Sequence, residues 1–77
     1  MPRAVISITD IDEDKKQIMG IVPMNRWTDD IRPGMLLGDY YVEDIKPWND
    51  QYYAIVISGD RVAGDIRCGQ PMITLIY

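Results

Sequence analysis

The sequence predicts an all-β domain: a small antiparallel barrel or strongly bent sheet of five to six strands, SH3-like or OB-like. Three observations predict it. Apolar residues alternate with period two in short runs, as where Ala4, Ile6 and Ile8 face away from Val5, Ser7 and Thr9. Gly, Pro, Asn and Asp recur between those runs as turn formers. The chain has only 77 residues, so a sheet built from it must bend or close to hide its edges. Twelve isoleucines and five tyrosines supply too much ordering material for a disordered chain. With no linker or low-complexity run, residues 1–77 read as one small β domain.

The elements follow in order. A strand is expected over residues 3–9, then a charged connection over 10–16. A second strand over 17–24 carries Met19 and Ile21 on one face and Ile18 and Val22 on the other. Gly20 is expected to mark a bulge, and Pro23 to end the pairing. Residues 25–34 hold the only helical signal. Thr28 can cap a single turn over Asp29, Asp30 and Ile31, short enough to be a 3₁₀ turn, because Pro33 restricts Arg32. Pro33-Gly34 then turns the chain. A third strand is expected over 35–45, interrupted at Gly38-Asp39.

Residues 46–50 read as a loop around Pro47. Residues 51–58 are apolar on both faces, which places this strand at the centre, covered on both sides or inside a barrel. Gly59-Asp60 suits a type II′ turn. A short return strand over 61–67, bulged at Gly64-Asp65, a turn at Cys68 and a closing strand over 71–77 complete the reading.

Composition excludes much chemistry. The chain has no histidine and a single cysteine. A nucleophilic Cys68 would lack its usual base, and one Cys without His cannot complete a zinc tetrahedron. Asp10, Asp12 and Asp14 are spaced like the opening of a calcium loop. Position six of that loop is Lys15 instead of glycine, and position twelve is Ile21 instead of glutamate. The triplet therefore reads as an acidic hairpin tip, and no metal or cofactor is expected. Asp29-Asp30 and Glu43-Asp44 are adjacent pairs, and neighbours on a strand diverge, so paired-carboxylate catalysis is not expected. The run from Gly59 to Gly64 has glycines only at its ends and an Asp that repels phosphate, which argues against nucleotide binding.

Twelve acidic against eight basic residues give a net charge of −4, with the bases scattered along the chain. Nucleic acid is a poor partner for such a surface, and a basic protein surface is a good one. A lone Cys suits a reducing, cytoplasmic compartment. No run is long and apolar enough to span a bilayer, and the N-terminus does not resemble a signal peptide.

The positive signal is aromatic. Trp27, Tyr40, Tyr41, Trp48, Tyr52 and Tyr53 gather in the middle of the chain, and phenylalanine is absent. Tyr and Trp join apolar bulk to a polar tip and are enriched at interfaces. Each tyrosine doublet sends one ring to each face, so outward rings of the two doublets are expected to meet across paired strands.

The expected function is a non-enzymatic module that binds a partner protein through these six residues, with acidic loops for steering. A homodimer through an edge strand is a further expectation. The alternatives are an acidic inhibitor of viral or mobile-element type that occupies a host nucleic-acid-binding surface, and a barrel binding single-stranded nucleic acid.

Overall fold

Alternating apolar residues and frequent turns produce antiparallel strands throughout. The computed structural model describes residues 3–59 and 71–75. Its strands are β1 (Arg3–Asp12), β2 (Gln17–Pro23), β3 (Leu36–Leu37), β4 (Tyr40–Pro47), β5 (Tyr52–Ser58) and β6 (Pro71–Leu75). A 3₁₀ turn at Thr28–Asp30 is the only helical element among the described residues. The strands form one antiparallel sheet in the order β3-β4-β5-β2-β1-β6, curled into a half-barrel. β5 is central, between β4 and β2, as expected, but its outer face is open, where two apolar faces predict a covered one. The expected turns and return strand over 60–70 lie outside the described residues. Among the described residues no helix is long and apolar enough to cross a membrane.

The inner face is the core. Ala4, Ile6 and Ile8 of β1 meet Ile18 and Val22 of β2, Val42 of β4, and Ile55 and Ile57 of β5, with Leu37 and Ile31 closing over them. All are buried. Ile31 arrives from the 3₁₀ turn, whose anchoring differs from expectation. Thr28 does not cap this turn from outside; it lies within it and is buried. Its hydroxyl donates to the Pro23 carbonyl and accepts the Asn25 amide, each at 2.8 Å. The Asn25 side-chain oxygen accepts the amides of Trp27 and Thr28, both at 2.9 Å. Asn25 and Thr28 thus cap each other, in the manner of a capping box. The Arg32 carbonyl then accepts the Met35 amide at 3.2 Å over Pro33 and Gly34. Gly34 has φ +96°, which fits a type II turn.

The third strand is two strands. Gly38 at φ +60° turns the chain between Leu37 and Tyr40, which pair, and so makes a tight hairpin of β3 and β4. β1 is also longer than its alternation suggests, running to Asp12. Ile8 pairs with Gly20 and Asp10 pairs with Met19, so Thr9 is an extra residue, a β-bulge. The bulge resets the parity: Ile8 points inward before it and Ile11 packs against the core after it. β4 repeats the device. Val42 pairs with Ile57 and Asp44 with Val56, Glu43 is extra, and Ile45 packs against the core.

The two bulges share their chemistry. The Asp10 carboxylate accepts the Ile11 amide at 2.9 Å, and the Asp44 carboxylate accepts the Ile45 amide at 2.9 Å. In each case the aspartate supplies an acceptor for the amide that follows the bulge. Thr9 donates to the Met19 carbonyl at 3.2 Å, and Ser58 donates to the Glu43 carboxylate at 2.7 Å. The registers are symmetric too. Met19 pairs with Val56, and the flanking pairs Ile18–Ile57 and Gly20–Ile55 exchange under a pseudo-two-fold through that pair. This operation carries the β1–β2 hairpin onto β4–β5 and one bulge onto the other.

Gly20 lies opposite the β1 bulge and is not itself the extra residue. Its pairing with β5 is continuous, and its role is close approach. A Cβ there would lie 2.5 Å from Ile6 Cγ2 and 2.7 Å from the Ser7 carbonyl oxygen. The backbone oxygen cannot rotate away as a side chain can. Gly20→Ala should therefore cost about 2 kcal/mol of stability, typical of overpacking. The check is the urea midpoint, expected to fall with an unchanged m-value; an unaltered midpoint would mean that β1 retreats freely. At the second bulge, Asp44→Ala should cost about 1 kcal/mol through the lost acceptor, while Asp44→Asn, which keeps that oxygen, should cost much less. Equal losses in thermal denaturation would contradict this role of the side chain.

Candidate functional site

The outer face of the sheet centre is apolar, although one face of such a sheet is commonly polar and solvated. Met19 and Ile21 of β2 lie opposite Val56 and Ala54 of β5 on this face. Met19 is 43 % exposed, and the other three are half-buried. These side chains floor an open groove of about 470 Å³, bordered by Thr9, Asp44, Lys46 and Trp48. The groove lies beside the two bulges, where extra twist bends the flanking strands away.

Local sequence holds an aromatic pair at one end. Asn49 accepts the amides of Gln51 and Tyr52 through its side chain, at 2.7 and 2.9 Å. The Tyr52 carbonyl accepts the Trp48 amide at 2.9 Å. The loop therefore sets the Trp48 ring edge-on to Tyr52, with centroids 6.5 Å apart and planes at 66°. Trp48 is 60 % exposed. At the opposite end is the acidic tip. Asp10 lies beside Met19 in register, Asp12 accepts the Lys15 amide at 3.1 Å, and Asp14 is exposed in the turn. Lys16 adopts φ +53° there, the one left-handed non-glycine among the described residues. No cluster of potential metal ligands occurs among the described residues.

The six aromatic residues do not form one patch. Tyr41 pairs with Ser58, and Tyr53 pairs with Pro47, so the doublets sit at opposite ends of the β4–β5 hairpin and their outward rings do not meet. This register corrects the expected cross-strand contact. Tyr40, 9 % exposed, belongs to the core. Trp27 stacks under the Arg26 guanidinium, 4.9 Å from its ring centre, beside the 3₁₀ turn. Of the six, Trp48 lines the groove, and Tyr52 packs edge-on against it. Residue type drew attention to the aromatics and away from Met19, Ile21, Ala54 and Val56. Strand parity was the signal for these four, because β2 and β5 are apolar on both sides.

Tyr53 has a structural task. Its hydroxyl donates to the Asp29 carboxylate at 2.5 Å, tying β5 to the 3₁₀ turn across 24 residues. Arg32 braces the same turn by donating to the carbonyls of Asp29 and Ile31 at 2.6 and 2.9 Å. The hydrogen bond to Asp29 raises the Tyr53 pKa above its ordinary value of 10.0, helped by desolvation and the Asp29 charge and opposed by Arg32.

Comparison with protein-family models, curated proteins and solved structures finds no match for this chain.

Because the folded-state pKa of Tyr53 is raised, its contribution to stability is fully present below about pH 10 and is lost as pH climbs through the folded pKa. The stability gap between wild type and Tyr53→Phe should be constant from neutral pH to about 9 and shrink above 10. Chemical denaturation across this range, with absorbance titration of the phenolates, checks it. A gap that widened with alkali would contradict the assignment.

Proposed function

We propose that this chain is a non-enzymatic interaction module whose partner protein docks on the outer face of β2 and β5. The observation that carries this reading is the open apolar floor of Met19, Ile21, Ala54 and Val56 with the Trp48–Tyr52 pair at its end. Apolar floor, aromatic anchor and charged border are the ingredients of an interface core and rim. Asp44 and Lys46 line the groove, Asp10 lies beside Met19 in register, and Glu43 is exposed next to Asp44, an acidic excess around the floor that favours a basic partner. The aspartates are partly engaged with backbone amides, so a free phosphate-like array is the weaker reading. The lone Cys68 suits an interaction in the reducing cytoplasm.

The test compares immobilised wild type with Trp48→Ala, Met19→Asp and Tyr41→Ala. A protein retained by wild type and Tyr41→Ala, but not by the first two, should then bind purified wild-type chain in calorimetry. In that titration Trp48→Ala should weaken binding at least tenfold, about 1.4 kcal/mol or more, as for an aromatic anchor. Identical retention by all four chains would rule this face out.

A further inference from the structure

The floor has dimensions that select among partners. It is two strands wide, about 10 Å, the diameter of one α-helix. Along β5 it runs from Tyr52 to Val56, about 13 Å, which corresponds to roughly nine helical residues. Packing a helix on a sheet is the standard way to cover an apolar sheet face.

The flanks add charge. Asp10 on β1 and Asp44 on β4 occupy equivalent positions on either side of the Met19–Val56 pair. Three strand spacings separate them, about 14 Å, wider than the floor on both sides. Glu43, exposed next to Asp44, accepts a hydrogen bond from Ser58, and Lys46 lines the groove toward the Trp48 end. A helix lying along the floor would present both edges of its apolar stripe to carboxylates.

We infer that the occupant of this groove is a basic amphipathic helix of a partner protein, with Lys or Arg on both edges of an apolar stripe of two to three turns. The inference rests on the docking reading above and specifies its partner. A second copy of this chain fits poorly. Its described residues offer no helix beyond one 3₁₀ turn, and face-to-face pairing would set Asp10, Glu43 and Asp44 against their own copies. Strand-face docking of an extended peptide would cover one strand's width and leave half the floor exposed.

The experiment uses the full chain with Trp27→Phe, so that fluorescence reports Trp48 alone. Two synthetic peptides of about 14 residues (roughly four helical turns) share one leucine stripe. One is flanked by Lys and the other by Glu. The Lys peptide should change Trp48 emission, gain helical circular dichroism and shift the amide signals of Met19, Ile21, Ala54 and Val56. Its affinity should fall several-fold on raising salt from about 0.05 to 0.5 M, as screening requires. Asp10→Asn with Asp44→Asn should weaken it about tenfold, and this pair keeps the acceptors that serve Ile11 and Ile45. The Glu peptide should not bind.

Equal binding of both peptides would overturn the charge inference while leaving the docking face intact. Binding of neither, beside a captured partner that still needs Trp48, would overturn the helix and spare the module. Sedimentation of the free chain as a dimer that Met19→Asp dissociates would assign the face to a second copy and overturn the proposal.

Discussion

Two residues that do not fit the alternation of their strands determine the shape of this sheet. Thr9 and Glu43 are extra residues in β1 and β4, and they lie at one level across the central β2–β5 pair. A strand can carry an unpaired residue only if the backbone amide it leaves behind finds an acceptor. Here the following aspartate provides it, for Ile11 and for Ile45. The bulges keep Ile11 and Ile45 facing inward despite the extra residue before each, and they lie beside the outer groove. The close approach of Ile6 and Ser7 to Gly20 lies just before the β1 bulge.

The pseudo-two-fold relation makes the chemical asymmetry of the two hairpins informative. Their pairing registers are equivalent, yet one hairpin ends in the charged run Asp12, Glu13, Asp14, Lys15 and Lys16 and the other in Trp48 and Tyr52. Backbone symmetry therefore does not explain the surface. The side chains give it an aromatic end and an acidic end, with an uncharged floor between them.

Much of the fold was legible in the sequence because period-two alternation is a direct image of a strand with one buried face. β1 could be read this way, β2 and β5 from short runs apolar on both faces, and the 3₁₀ and Pro33-Gly34 turns from their Thr, Pro and Gly. The misreadings share a physical origin. Alternation assumes one residue per pairing step, so Thr9 and Glu43 break it: residues beyond Thr9 read as a loop, and the change of phase between Val42 and Ile45 leaves no mark in the pattern. The hairpin at Gly38-Asp39 was seen as an interruption because two residues of β3 are too few to show a period. Gly20 signalled a special backbone position, but contact with Ile6 and Ser7 depends on the approach of another strand. At the site, Trp48 and Tyr52 were named from residue type. Their separation from Tyr41 and Tyr53 follows from hairpin register, which no single strand reveals.

The bulges have a consequence for how such a surface can change. Without Thr9, Ile8, Asp10 and Ile11 would meet Gly20, Met19 and Ile18 in plain succession, still facing in, out and in. The same holds for Val42, Asp44 and Ile45 without Glu43. Curvature and facing are thus separable properties of this chain. One-residue insertions and deletions at two points can flatten or deepen the groove while every residue that lines its floor keeps its identity. Length variation in mid-strand, ordinarily ruinous to a β-sheet, becomes here a means of adjusting fit.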